Sequence, residues 1–159
     1  MEIERAASAI LGRIPEIGLL YNRLLLVVGP TASGKTAVLR KISSSGGYPL
    51  LNLGLELSRQ LLELTERQRI IDLAKRLENL LADQRSDIVV LDNIEFLFLP
   101  DLKQDPLTLL KSASRNRTVI ASWLGTISSG HLQYAAPEHR EFKSYSCHGL
   151  ELLELGRSN

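Results

Sequence analysis

The stretch Gly29-Pro30-Thr31-Ala32-Ser33-Gly34-Lys35-Thr36 constrains this chain more than any other. It fits G-x-x-x-x-G-K-[ST], a phosphate-binding loop. Its flanks fit too. Leu24-Leu25-Leu26-Val27-Val28 enters the loop as a short apolar run, suited to a buried parallel strand. Ala37-Val38-Leu39-Arg40-Lys41-Ile42 leaves it as a helix. Glycines let successive backbone N–H groups turn inward around a phosphate, and the helix N-terminus adds a favourable field. The expected contacts are Gly29, Pro30, Thr31, Ala32, Ser33, Gly34, Lys35, Thr36 and Ala37. Lys35 is expected on the β- and γ-phosphates of ATP, and the Thr36 hydroxyl on Mg²⁺.

A second stretch supports the first. Ile88-Val89-Val90-Leu91-Asp92 is four apolar residues ending in a carboxylate. Downstream of a phosphate loop this is the Walker-B pattern, and Asp92 is expected to hold the Mg²⁺ shell, partly through water. Many P-loop ATPases place a glutamate directly after that aspartate. Here the position is Asn93, and the nearest carboxylate is Glu95. Asn93 can hydrogen-bond a water but cannot take its proton at neutral pH, so Glu95 is the expected base. The competing reading makes Glu95 a cap or a solvated residue.

The bulk numbers narrow the class. A chain of 159 residues with 44% apolar and 23% charged residues suits one globular domain, residues 1–159. A net charge of +1 sets up no global field toward nucleic acid or membrane, so DNA contact would need a local basic loop or a partner. One cysteine, Cys147, excludes an internal disulfide framework and suits a cytoplasmic setting. No apolar run approaches the roughly 20 residues of a membrane span. The three histidines have no metal-ligand spacing with Cys147.

In chain order, residues 3–14 carry Ile3, Ala6, Ala7, Ile10, Leu11 and Ile14 at helical spacing, and Pro15 is expected to end that helix. Residues 48–53 read as a second strand and 55–64 as a helix. Thr65-x-x-Gln68 is a capping box opening a helix with Ile70, Ile71, Leu73, Ala74, Leu77, Leu80 and Leu81 on one face. Phe96-Leu97-Phe98-Leu99-Pro100 reads as core, with a subunit contact as the sharper alternative. Asp105-Pro106 is a helix start. Residues 118–122 form a further strand with Trp123 at its mouth. Beyond Gly125 the expectations are a turn at Ser128-Ser129-Gly130, a last strand in residues 140–146 and a short apolar tail at 150–155.

Helices alternating with short apolar strands give an α/β class, a three-layer P-loop NTPase with a mainly parallel sheet. The order of motifs resembles the additional-strand group of P-loop ATPases, which includes AAA+ proteins. That resemblance makes Ser122 the polar sensor residue near the γ-phosphate. It makes Arg115 or Arg117, expected exposed, an arginine donated to a neighbouring subunit's site. No room for a helical lid domain follows Tyr145.

A narrower resemblance rests on Leu53-Gly54-Leu55-Glu56-Leu57-Ser58, Leu91-Asp92-Asn93-Ile94-Glu95 with Leu97-Phe98, Leu102-Lys103-Gln104-Asp105-Pro106-Leu107, Ser114-Arg115-Asn116-Arg117-Thr118-Val119, and Tyr134-Ala135 with Pro137 and His139. Over residues 24–145 the chain resembles BrxF, the small P-loop family of type 3 bacteriophage-exclusion (BREX) systems. The resemblance implies an ATP-binding assembly factor or switch in a phage-defence complex. Its expected partners are a large ATPase, a DNA methyltransferase and an alkaline-phosphatase-like protein, in a homo- or hetero-oligomer. Two other functions compete. A small-molecule or nucleoside kinase would use the same loop, but Asn52 stands where its acidic substrate residue belongs, and no Arg-rich lid is apparent. A nucleotide-stabilised interaction module without turnover would suit Asn93.

Overall fold

The structure, a computed structural model, describes residues 2–135 and 141–156. Pro137, His139 and Arg140, singled out above, lie outside the described residues. The elements run α1 (Glu2–Ile17), β1 (Leu24–Gly29), α2 (Lys35–Gly46), β2 (Leu50–Asn52), α3 (Leu53–Leu61), α4 (Glu66–Ala82) and β3 (Ile88–Asp92). A 3₁₀ segment, Ile94–Phe98, leads toward α5 (Pro106–Ala113). Then come β4 (Thr118–Ser128), β5 (His131–Tyr134), β6 (Lys143–Ser146) and β7 (Glu151–Glu154).

The main sheet has the order β2-β3-β4-β1-β7, every pairing parallel. β4 therefore lies between the phosphate-loop strand β1 and the Asp92 strand β3, the additional-strand arrangement. Side chains alternate across the strands and both faces are covered. Leu26, Val28, Val89, Leu91 and Val119 face one core with α3, α4 and α5. Leu25, Val27, Val90 and Ile120 face the other with α1 and α2. This explains why all six residues of β1 are buried and why its sequence is continuously apolar.

Local signals held where the physics is local. Thr65 Oγ accepts from the Gln68 N–H and the Gln68 side chain returns to the Thr65 N–H, so the capping box is complete. Asp105 caps α5 by accepting from the Thr108 N–H at 3.2 Å. Five expectations need correction. Ile71 and Ala74 are exposed, so the buried face of α4 is the narrower stripe Leu73, Leu77, Leu80 and Leu81. Pro15 does not end α1: the helix continues through it to Ile17, which is buried in the core. The second strand is only Leu50–Asn52, because Asn52 turns its side chain to cap α3. β4 does not stop at Ser122, and Trp123 lies fully buried inside it rather than at a mouth. The tail at 150–155 contains β7, which pairs with β1.

β4 bends the architecture. Its first part pairs in parallel with β1 and β3; from Gly125 onward it pairs antiparallel with β5. The turn Ser129-Gly130 has both φ angles positive, at 50° and 77°, as a tight hairpin requires. Gly125 is demanded by close approach: a Cβ there would stand 1.8 Å from the Gln133 carbonyl oxygen. β6 adds to β5, so an antiparallel ribbon joins β4 to β7. Phe98, Trp123, Tyr134 and Tyr145 knit this ribbon to the 3₁₀ segment, with Phe98 and Tyr134 stacked and Trp123 edge-on to three rings. Among the described residues, no helical lid follows β4, and no helix is long and apolar enough to cross a membrane.

Candidate functional site

The site lies at the carboxyl ends of β1, β3 and the parallel part of β4. The loop after Gly29 folds back tightly: the Ser33 N–H donates to the Pro30 carbonyl at 3.2 Å. A Cβ on Gly29 would stand 2.3 Å from Ser33 Oγ, so a larger residue there would have to displace the Ser33 side chain. Gly34, at φ +96°, turns the chain into α2, which opens at Lys35. Lys35, Thr36 and Ala37 thus form the first turn of a helix whose free N–H groups face the loop.

Lys35 Nζ donates to the carbonyl oxygens of Gly29 at 2.9 Å and Pro30 at 2.7 Å. Burial lowers its pKa, while the charges of Glu95 and Asp92 oppose that shift. These couplings gather the lysine and both carboxylates around one locus.

Asp92 is the hub. Its Oδ2 accepts from the Thr36 hydroxyl at 2.7 Å. Its Oδ1 accepts from the Ser122 hydroxyl at 2.8 Å and from the Asn93 N–H at 3.0 Å. The Thr36 hydroxyl and the Asp92 carboxylate are hard oxygens in direct contact, the donor set Mg²⁺ prefers when water and phosphate complete its shell. Among the described residues, no group of three or more His, Cys, Asp or Glu side chains could hold a metal ion. Ser122, the expected sensor residue, turns its hydroxyl toward Asp92, and that bond links β4 to the end of β3.

Asn93 adopts φ 54°, ψ 51° and is exposed; its carbonyl accepts from the Gly54 N–H at 3.1 Å, tying β3 to α3. That left-handed turn starts the 3₁₀ segment and brings Glu95 back toward the loop. Glu95 Oε2 is buried with no hydrogen-bond partner among the described residues. Desolvation raises its pKa, and the Asp92 charge adds to the rise; a bond to its own backbone and the Lys35 charge oppose it. Such a carboxylate is a stronger base than an ordinary glutamate and has a free acceptor. Burial and the charges of Glu95 and Glu141 push the Tyr134 hydroxyl up, which places the stacked aromatic cluster close to Glu95. Sequence reasoning missed this aromatic wall, since Tyr134 and Trp123 reach it only through the β4–β5 pairing.

The two arginines lie elsewhere. Both precede β4, at the end of the sheet opposite the loop. Arg115 is exposed, as expected, with its guanidinium 5.2 Å from the Tyr21 ring centroid. Arg117 is not exposed. It is buried, donates to both Glu78 oxygens at 3.0 and 2.5 Å and to the Ala113 carbonyl at 2.7 Å. An arginine so engaged holds α4 to the base of β4 and is not available to a neighbouring subunit.

No protein-family model and no curated protein matches this chain. Solved structures do. AMPPCP-bound DnaA from Aquifex aeolicus is 16% identical, with a TM-score of 0.53 over 96% of this chain and 45% of that one. DnaA bound to AMPPCP and single-stranded DNA is also 16% identical, with a TM-score of 0.54 over 95% of this chain and 45% of that one. C. elegans PCH-2 is 14% identical, with a TM-score of 0.51 over 99% of this chain and 43% of that one. The chain spans less than half the length of these structures. It has the α/β fold of AAA+-type P-loop ATPases.

Proposed function

We propose that the chain is an ATP-binding and ATP-hydrolysing AAA+-like component of a BREX-type phage-defence complex, working as a nucleotide-dependent assembly factor or switch. The observation that carries the nucleotide reading is the Thr36–Asp92 hydrogen bond, which brings the phosphate loop and the Walker-B carboxylate into contact beside Lys35. In this reading Lys35 would leave the Gly29 and Pro30 carbonyls for phosphate oxygens, and Thr36 and Asp92 would hold Mg²⁺, which would supply charge neutralisation for the phosphates. Glu95, with its free buried oxygen, takes the proton of the attacking water.

The defence role is supported by the resemblance to BrxF. It brings the large ATPase, the DNA methyltransferase and the alkaline-phosphatase-like protein as partners in the cytoplasm. Self-association remains part of this proposal through Arg115 alone. DNA would be met through the complex, because Arg117 of the loop at residues 114–117 is buried against Glu78. A kinase is disfavoured by Asn52, whose side chain accepts from the Leu55 N–H as the cap of α3. A module without turnover is the second reading, and the exposed Asn93 at the usual glutamate position favours it.

The test is a titration with ATP and Mg²⁺, followed by turnover with and without the three partners. Wild type should bind ATP, and Lys35→Ala should lose most of that affinity with an unchanged melting temperature. Equal affinity in Lys35→Ala would end the nucleotide reading. Binding without turnover, even with the partners present, would select the static module. The defence role is tested separately, by plaque counts in cells carrying the complete system with wild-type or Lys35→Ala protein.

A further inference from the structure

The segment between α1 and β1 exposes three consecutive apolar side chains: Leu19 is 88% exposed, Leu20 42% and Tyr21 75%. Contiguous exposed apolar surface of this kind marks an interaction site more often than scattered single leucines do.

The segment is firmly held. The N–H groups of Gly18, Leu19 and Leu20 donate to Ile14, Glu16 and Ile17 at 2.9, 3.1 and 3.0 Å, continuing the end of α1. The Arg23 N–H donates to the Ser114 carbonyl at 2.9 Å, and the Arg23 carbonyl accepts from Val119 at 2.8 Å. The Arg23 side chain donates to the Arg115 carbonyl, and the Arg115 guanidinium lies over Tyr21. A surface ordered in advance costs little further entropy on binding.

Its charge has a sign. Among the described residues, neither Arg23 nor Arg115 has a carboxylate within ion-pair distance. Arg117, two residues from Arg115, is neutralised by Glu78. The nearest acid in sequence is Glu16, on the last turn of α1. Exposed leucines beside an aromatic ring and two guanidiniums that have no carboxylate partner among the described residues are the composition of a protein-binding patch. Single-stranded nucleic acid fits less well, because the leucines offer no stacking face and Arg115 already covers one face of Tyr21.

We propose that residues 19–23 with Arg115 form a docking surface for a partner-protein segment that carries apolar anchors flanked by carboxylates. The surface lies at the opposite end of the sheet from the phosphate loop, so the proposal goes beyond the nucleotide reading and stands without it.

The probe is a synthetic amphipathic helix with leucines on one face and glutamates on the flanks, titrated into the ¹⁵N-labelled full chain. An isomer with lysines in place of glutamates and an oligothymidylate serve as competitors. The glutamate peptide should move the amide signals of residues 18–23 and 114–116, and its affinity should fall with salt. Leu19→Glu and Arg115→Glu, both at exposed positions, should each weaken it roughly tenfold or more. Lys35→Ala should bind the peptide normally, which separates this surface from the nucleotide site. Equal binding of the lysine isomer, preference for the oligothymidylate, or unchanged affinity in both surface variants would overturn the proposal.

Discussion

The two ends of the sheet both gather charged groups, and they treat them differently. At the amino end, Arg117 is buried and paired: two bonds to Glu78 and one to a backbone carbonyl. At the carboxyl end, Glu95 is largely withdrawn from water yet keeps one oxygen without a partner among the described residues. The first arrangement stabilises the protein and leaves nothing free to react. The second costs stability and leaves an acceptor close enough to Lys35 and Asp92 for their charges to act on it. Burial alone does not mark a functional charge; burial with an unused valence does.

Glu95→Gln should break this contrast most visibly. Removing the base lowers ATP turnover by about 10²–10⁴-fold while ATP binding persists. The same change should not lower the melting temperature. Above the usual glutamate value of 4.5, and below its raised value in the fold, Glu95 binds more protons folded than unfolded. Stability therefore falls as pH rises through that window, and glutamine removes the penalty. Turnover of the wild type should rise with pH through the same raised value, because only the carboxylate can take a proton. Steady-state ATPase assays across acidic pH, paired with thermal melts, check both halves. Wild-type turnover in Glu95→Gln would return Glu95 to a structural role.

The same division decides what could be read from the chain. Gly29, Gly34, Lys35 and Thr36 are legible because phosphate chemistry dictates their spacing within one loop. Thr65 and Asp105 are legible because a helix cap closes over three residues. The fold class follows from these and from the doubly buried apolar strands. β5 and β7 carry no such local mark: each is four residues long, and β7 is a strand only because Leu25–Val28 lies beside it. Trp123 could not be placed without knowing that β4 runs on into a hairpin. Arg117 read as a free arginine because Glu78 is 39 residues away in sequence. Glu95 was named from its proximity to Asp92 alone. Its unpaired oxygen depends on Asn93 turning left-handed and on an aromatic wall built from distant strands.

Arg117→Ala should give the next largest effect, in the opposite currency. It removes three bonds from a buried guanidinium and leaves Glu78 half in solvent, so the loss is about 2 kcal/mol. Turnover per folded molecule should be unchanged, since no site group touches Arg117. The Arg117 hydrogen bond is the largest influence lowering the Glu78 pKa below 4.5. A depressed folded-state pKa contributes stability above 4.5 and loses it as pH falls through the depressed value. The difference in melting temperature between wild type and Arg117→Ala should therefore shrink in acid. A variant that keeps its stability but loses activity in mixed assemblies would put Arg117 back at a subunit boundary.

Ser122→Ala should give the smallest effect, and it tests how the two ends are connected along β4. Ser122 is buried, and its hydroxyl donates to the same carboxylate that receives Thr36. A serine acting directly on the γ-phosphate would, when removed, lower kcat and leave the Mg²⁺ requirement alone. For a serine acting through Asp92 the reverse holds: its removal would loosen the carboxylate proposed to hold Mg²⁺ and leave the proposed base, Glu95, untouched. One neutral-to-charged bond of this kind contributes about 1.5 kcal/mol at the low end of its range, or roughly tenfold in an equilibrium constant. The Mg²⁺ concentration for half-maximal turnover should rise by about that factor, with kcat at saturating metal close to wild type. Metal-free ATP affinity should not move, because Lys35 and the loop amides are unchanged. A fall in kcat at saturating Mg²⁺ would show instead that the Ser122 hydroxyl leaves Asp92 for the phosphate during the reaction.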